Sequence, residues 1–574
     1  METQFQQPAL AFVDFSFKYK SQDAPTLHGI NLAVRPGEKI LIVGPSGSGK
    51  STLAHCINGL IPHAFKGRWT GTYTLDGGNA LDLDIFGISK KVGTVLQDPD
   101  GQFVALSAGE DIAFVLENDC ETAERMHSRV KDAASLVDIG DFLDKAPQDL
   151  SGGQKQRVAM AGVLIDDVDI LLFDEPLANL DPATGKQAID LIDRLHKETG
   201  KTILIIEHRL EDVLYRKIDR IVVIDGGRIL ADLPPDEMLA SEILRTVGIR
   251  EPLYLSALRY AGTDITAASL PSSVDTVAFD PVPLRNWDSR QEEAGTAAVH
   301  PSILEMEHLG FSYSADESRK AILDDVSFTL HEGESTALVG RNGAGKSTLA
   351  KLVCGFEIPS AGTIRFAGKD LANFSIKQRA DHIGYVMQNP NQMISLPMVY
   401  DEVSLGLRSR GVDASEAARR VDETLKICGL HPFRKWPVSA LSFGQKKRLT
   451  IASILVLGPR LLILDEPTAG QDFRHYTDIM EFLRTLNRDT GLTLLMVTHD
   501  MHLMLEYTTR AIVLSGGKKI ADASPAGVLT DEAVIEGASL KRTSLYDLAI
   551  RAGIGRPRDF VQHFIDFDRR RRSR

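Results

Sequence analysis

A chain of 574 residues is too long for one hydrophobic core, so more than one domain is expected. With 43% apolar and 25% charged residues it is ordinary for globular protein, and a net charge of −13 argues against a dedicated nucleic-acid binder, which carries a basic balance or a basic face. Cys56, Cys120, Cys354 and Cys428 form no CxxC pair, which argues against a disulfide framework or a zinc site and suits a reducing compartment.

In chain order, residues 1–10 are polar and lack the basic-then-apolar pattern of a secretory signal. No stretch approaches the roughly 18 uninterrupted apolar residues of a membrane span. The best, residues 451–464, is broken by Gly458, Pro459 and Arg460. Residues 39–43 form a short apolar run of strand length that ends in GPSGSGKST, with a helical stretch expected from Lys50. This fits GxxxxGK[ST], a loop whose backbone N–H groups converge on phosphate oxygens. Gly44, Gly47 and Gly49 allow that approach without side-chain clash, Pro45, Ser46 and Ser48 complete the loop, and the helix N-terminus adds partial positive charge. Lys50 would reach the β- and γ-phosphates of a nucleotide, Ser51 would ligate Mg²⁺, and Thr52 ends the motif.

QDPDGQF at residues 97–103 and EDIAF at 110–114 precede the motif LSGGQ at 150–154. The apolar run 170–173 reads as a buried parallel strand. Asp174 at its end fits the Mg²⁺-holding carboxylate of a phosphate-loop NTPase. Glu175, at the strand tip, can polarise the attacking water, a role worth about 10²–10⁴ in rate. A further strand is expected at residues 202–206, and His208 follows it.

The whole series then repeats. GRNGAGKST supplies Gly340, Arg341, Asn342, Gly343, Ala344, Gly345, Lys346, Ser347 and Thr348. LSFGQ supplies Ser442, Phe443, Gly444 and Gln445, and LILDEP supplies Asp465 and Glu466, with His499 closing the second copy. From Gln97 and Gln388 onward the copies keep one spacing, while the lysines are five residues further apart, so the first copy carries an insertion, expected near residues 69–84. Between the copies, residues 231–300 are acidic and lysine-free. Their later part, residues 261–299, reads as a flexible linker rich in Pro, Ser and Ala. LYLSALRYAG at 253–262 resembles LYDLAIRAG at 545–553, so each copy is expected to end in a small helical extension. The Arg569–Arg572 run reads as a solvated basic tail.

These motifs are similar to those of ABC ATPases, and the LSGGQ signature is specific to that family. The resemblance implies an α/β fold with two P-loop NTPase domains of ABC type in tandem, each carrying a helical subdomain and a small C-terminal helical extension. The expected boundaries are 1–245, 246–300 for extension and linker, 301–525, and 526–574. It implies ATP and Mg²⁺ as ligands, with Gln97 and Gln388 joining Ser51, Asp174, Ser347 and Asp465 at the metal. Glu175, Glu466, His208, His499 and the two glutamines would be catalytic. It also implies intramolecular pairing of the two domains. One P-loop would then face Ser442, Phe443, Gly444 and Gln445, and the other would face Ser151, Gly152, Gly153 and Gln154. Tyr19 and Tyr313 sit where the family stacks an aromatic on adenine. Phe443 departs from the family glycine, and Gln471 and Phe473 depart from the usual Leu and Pro around Asp472, so the two sites are expected to be unequal.

QDPDGQF, QNPNQMI at 388–394, EDIAF and DEVSLGL at 401–407 resemble the ATPases of energy-coupling-factor transporters, which import vitamins and metal ions. That likeness implies an integral membrane coupling subunit and a substrate-binding membrane subunit as partners, a peripheral position on the cytoplasmic membrane face, and no nucleic-acid partner. A soluble tandem ATPase acting on the ribosome, or a sugar-importer ATPase, is the alternative.

Overall fold

The computed structural model describes residues 7–178, 180–291, 300–313, 321–469 and 471–572, and divides into two compact units. The first is built mainly from residues up to Leu284 and the second from Arg285 onward. Each unit is α/β and carries the same two sheets.

In the first unit a six-stranded sheet runs in the order 228–233, 220–225, 39–43, 202–206, 170–174, 92–95. All neighbours are parallel except the hairpin partner Arg228–Leu233 at the edge. Lys39–Val43 lies inside this sheet with every residue buried, as a parallel strand covered on both faces must be. Its C-terminal end, the place where open α/β sheets bind ligands, delivers the glycine-rich loop into the helix Lys50–Ile57. A second, antiparallel sheet pairs Leu10–Tyr19 with Leu27–Val34 and with Gly67–Leu75. A helical subdomain, Ala108–Asn118, Ala123–Leu136 and Gly152–Leu164, packs through its last helix against the edge strand Val92–Val95 of the six-stranded sheet.

The second unit repeats this with Ser335–Val339 as the inner strand, Leu461–Asp465 and Thr493–Val497 alongside, and the helices Val399–Arg408, Ala414–Ile427 and Phe443–Leu455. The subdomain helices pack through Val403, Leu407, Val421, Leu425 and Leu449, all buried.

Three expectations need correction. The insertion of the first copy lies earlier than residues 69–84. The left-handed glycines Gly59 and Gly355 still keep the lysine spacing, whereas Gly71 and Gly362 already keep the later one. The extra residues therefore fall between Gly59 and Gly71, where the short helix Leu60–His63 forms.

The stretch read as a flexible linker is folded wherever it is described. Ile265 and Val277 are buried and the Tyr254 hydroxyl donates to the Pro271 carbonyl at 2.5 Å. Arg285–Gln291 pack into the second unit: Trp287 lies between Phe560 and Phe567, with ring centroids at 6.0 and 5.3 Å. His563 Nδ1 donates to Asp288 at 2.7 Å. Residues 292–299 lie outside the described residues. Composition misled here because a few large apolar side chains anchor an otherwise polar segment.

The arginine run is likewise no solvated tail. It ends the helix Pro557–Arg572, and the Arg569 guanidinium donates to the carbonyls of Leu505, Glu506 and Thr508. These carbonyls cluster at the C-terminal end of Met501–Tyr507, where a helix has unpaired acceptors and a partial negative charge. Arg572 pairs with Glu506 at 3.0 Å and with Asp568 at 2.8 Å. Substituting Arg572→Ala removes the cation from two buried carboxylates and is expected to destabilise the second unit by about 3 kcal/mol. A denaturant midpoint identical to that of the parent protein would return the run to the status of a solvated tail.

Candidate nucleotide site

The phosphate loop is the same in both units. Gly49 and Gly345 take φ of 107° and 98° just before the helix, and a Cβ on either would stand 2.9 or 2.6 Å from the side chain of Leu27 or Leu323. Only glycine fits there. The Lys50 ammonium donates to the carbonyls of Gly44 and Pro45 at 2.7 and 2.9 Å, and Lys346 to those of Gly340 and Arg341 at 2.8 and 3.0 Å, so each loop curls around its own lysine. Burial lowers the Lys50 pKa, against the attraction of Glu175. Tyr19 and Tyr313 each stand over their own P-loop helix, with hydroxyls 3.1 Å from Thr52 Oγ1 and 3.4 Å from Thr348 Oγ1.

The two carboxylate pairs sit at the tips of neighbouring strands. Glu175 and Glu466 have φ of 49° and 45°, left-handed values that are uncommon for a side chain other than glycine, asparagine or aspartate. Their N–H groups are held by the carbonyls of Ile206 and Val497 at the end of the next strand. In the first unit the structure brings Gln97, Glu175 and His208 together: Gln97 Nε2 donates to Glu175 at 2.5 Å and His208 Nε2 donates to its other oxygen at 2.8 Å. Burial pushes the Asp174 carboxyl up to about 6, with Glu175 adding to the effect. Burial would raise Glu175 too, but the hydrogen bond and charge of His208 outweigh it and leave its pKa below the ordinary value.

The second unit reaches the same arrangement by different contacts. Glu466 accepts from His499 Nδ1 at 2.7 Å, from the His499 N–H at 3.1 Å and from the Thr498 hydroxyl at 3.2 Å. Among the described residues the Gln388 side chain makes no such bond to it. The Tyr385 hydroxyl donates to Asp465 at 2.8 Å, where the first copy has Thr94. Lys447, 1% exposed, donates to the carbonyls of Met387 and Gln388 at 3.0 and 2.6 Å. Its counterpart Gln156 instead donates to the Pro176 carbonyl at 2.5 Å. Burial lowers the Lys447 ammonium to about 8, against the attraction of Asp465 and Glu466. Tyr385, Lys447 and Gln156 escape a motif search, although a position-by-position comparison of the two copies exposes them as mismatches.

The donor set fits a hard divalent cation. A serine hydroxyl, an aspartate and a glutamine amide are all oxygen donors, the kind Mg²⁺ prefers. In the second unit Asp465 accepts a hydrogen bond from Ser347, so two of the three are adjacent. No group of three His, Cys, Asp or Glu among the described residues could hold a metal unaided, so nucleotide oxygens or water would have to complete the shell. The cation would supply charge neutralisation at the phosphates, and Ser51, Asp174 and Gln97 or Ser347, Asp465 and Gln388 would hold it.

Each signature opens a helix of its own unit. Ser151 caps Gly152–Leu164 and Ser442 caps Phe443–Leu455, each in a reciprocal capping box with the glutamine three residues on. Phe443 therefore occupies the first helical position, which needs no special backbone angle, and its ring is 44% exposed. Glycine is replaced there without backbone strain. What changes is the bulk beside the capped helix start.

Family models agree with this geometry. The ABC transporter model matches residues 27–178 and 323–469, which together are more than half of the chain. The chain belongs to the ABC transporter family of ATP-binding proteins. It is thus a tandem ABC ATPase. A second model, described as ATP-binding cassette cobalt transporter, matches residues 241–311. The chain is 54% identical over 566 residues to a putative ABC transporter ATP-binding protein of Clostridium perfringens, covering 98% of this chain and 99% of that one. It is 55% identical to another of Enterococcus faecalis, with the same coverage. Among solved structures, CbiO1 of Clostridium perfringens, titled as part of the ABC transporter complex CbiONQ, is 35% identical, with a TM-score of 0.38 over 41% of this chain and 93% of that one.

In this tandem ATPase, Lys447→Met would leave two carbonyls of the Gln388 loop without their donor, an expected loss of about 1–3 kcal/mol of local stability. Amide hydrogen exchange should accelerate across residues 387–393 while residues 96–103 of the first copy keep their protection. Equal protection in parent and variant would count against the Lys447 tie.

Proposed function

We propose that this ABC ATPase is the motor subunit of an importer of the energy-coupling-factor type, powering uptake of a vitamin or metal-type micronutrient through separate membrane subunits. The observation that carries the reading is the match of residues 241–311 to the family described as ATP-binding cassette cobalt transporter, over a segment that is folded rather than linker wherever it is described. Among the described residues no helix is long and apolar enough to cross a membrane. The loop that follows Gln97 supports the partner assignment: Val104 and Leu106 are 65% and 87% exposed, beside the half-exposed Phe114. Such exposed apolar side chains, on the loop whose Gln97 contacts Glu175, suit an apolar helix of a membrane subunit. The ribosomal alternative draws no support from the arginine run, because Arg569 and Arg572 are engaged within their own unit.

In this reading the P-loops hold the ATP phosphates, Lys50 and Lys346 neutralise them, and Glu175 and Glu466 orient and deprotonate the attacking water. His208 and His499 hold those carboxylates in place. The first copy adds Gln97 as a second support, and the second copy adds Thr498 and the His499 N–H, so the two sites are proposed to turn over at different rates.

Lys50→Ala with Lys346→Ala should abolish uptake while membrane subunits still co-purify from detergent extracts. Leu106→Asp should give the opposite result, keeping ATP turnover while releasing those subunits. Co-purification of ribosomes instead of small integral membrane proteins would refute the importer reading. Glu175→Gln and Glu466→Gln should reduce ATP turnover unequally, and equal losses would remove the asymmetry.

A further inference from the structure

The histidine of the first copy is flanked by a glutamate and an arginine, where its counterpart has a threonine and an aspartate. Glu207 is 3% exposed, and its carboxylate accepts from three backbone N–H groups: His208 at 2.7 Å, Arg209 at 3.1 Å and, across the strand gap, Leu177 at 3.1 Å. Arg209 returns the contact, its guanidinium donating to the Leu177 carbonyl at 3.1 Å. Both polar groups of Leu177 are therefore gripped by the residues on either side of His208. The adjoining Pro176 carbonyl is held by Gln156 from the signature helix. Arg209 runs so close to the start of the helix Pro182–Thr199 that a Cβ on Gly185 would stand 3.3 Å from its Nη2.

The second copy has Thr468, Thr498 and Asp500 at the corresponding positions. There the Thr498 hydroxyl donates to Glu466 itself at 3.2 Å and accepts from the Asp500 N–H at 2.9 Å. Its histidine loop grips the catalytic carboxylate directly. In the first copy the loop grips the segment just after the carboxylate, and Glu175 is left bridging His208 and Gln97.

We propose that Glu207 and Arg209 are positioning residues for ATP hydrolysis in the first copy, clamping the Leu177 peptide so that Glu175, His208 and Gln97 hold one relative geometry. A buried carboxylate with three N–H donors is a stiff anchor, because releasing any of them leaves a polar group unpaired in a dry site. The clamp also links the signature helix, through Pro176 and Leu177, to the histidine loop, a connection that the second copy replaces with the Lys447 tie to the Gln388 loop. The inference rests on the reading of Glu175 as the residue that activates water.

The test uses the full-length protein carrying Glu466→Gln, so that turnover reports on the first copy. Adding Glu207→Thr, which imitates the second copy, or Arg209→Gln should each lower kcat roughly tenfold with KM for ATP unchanged, the signature of displaced chemistry rather than lost binding. Combining them should cost no more than the worse single change, because both act on one peptide. Glu207→Gln, which keeps an acceptor for the His208 N–H, should recover part of the rate. If Glu207→Thr lowers the melting temperature too far to assay, Arg209→Gln carries the test, since its side chain is 30% exposed and removing it leaves Glu207 in place. Parental kcat in Arg209→Gln, a change confined to KM, or losses that multiply in the double variant would overturn the clamp. Turnover that survives Glu175→Gln in the same background would overturn the assignment of Glu175 instead.

Discussion

Everything at the candidate site depends on one backbone turn made twice. At the end of a buried parallel strand, Glu175 and Glu466 each enter the left-handed region, with the N–H fastened to the adjacent strand. A glutamate in that conformation costs of order 1 kcal/mol or more and persists only where the surroundings over-determine it. The turn directs the glutamate toward the histidine that follows the neighbouring strand, while the preceding aspartate stays at the strand end, part-buried in the first copy and buried in the second. Two adjacent carboxylates thereby acquire different environments. Asp174 is pushed up toward 6 by burial, and Glu175 is held below its usual value despite burial. Neighbouring acids whose pKa values are driven apart can take different tasks, one as a cation ligand and one as a base.

Around this shared turn the two copies are supported by different contacts. His208 meets its glutamate with Nε2, and His499 with Nδ1. The first copy reaches its glutamine loop through the Glu175 carboxylate, whereas the second reaches it through Lys447, a buried lysine of the signature helix itself. None of these substitutions alters a motif residue, yet each changes what the motif residue leans on. In a low-dielectric interior such contacts set orientation and proton affinity. The proposed inequality between the sites would therefore have a physical source beyond the exposed Phe443.

The phosphate loops and the strand-tip acids were legible because they need fixed residue types at fixed spacing: glycines where a Cβ would collide with Leu27 or Leu323, and acids at strand tips. The α/β class followed from short apolar runs ending at those motifs. Three things were not legible. The linker composition hid an anchored segment, since Trp287 and a few neighbours suffice to dock it. The arginine run looked solvated because charge patterning says nothing of the carbonyls at the end of Met501–Tyr507 that receive Arg569. Glu207 looked like any residue before a histidine, because its three partners are backbone N–H groups, which have no signature in a sequence.

The Arg569 cap bears on the order in which the protein is made. The helix it closes, Met501–Tyr507, begins two residues after the histidine that holds Glu466. Arg569, 62 residues further along the chain than Tyr507, supplies the donors for that helix's last carbonyls. The first unit draws almost entirely on residues up to Leu284 and can mature while synthesis continues. The second acquires the donors for that helix end only once Arg569, about 285 residues later, has emerged from the ribosome. In a growing polypeptide the first glutamate–histidine pair would thus be fully supported well before the second.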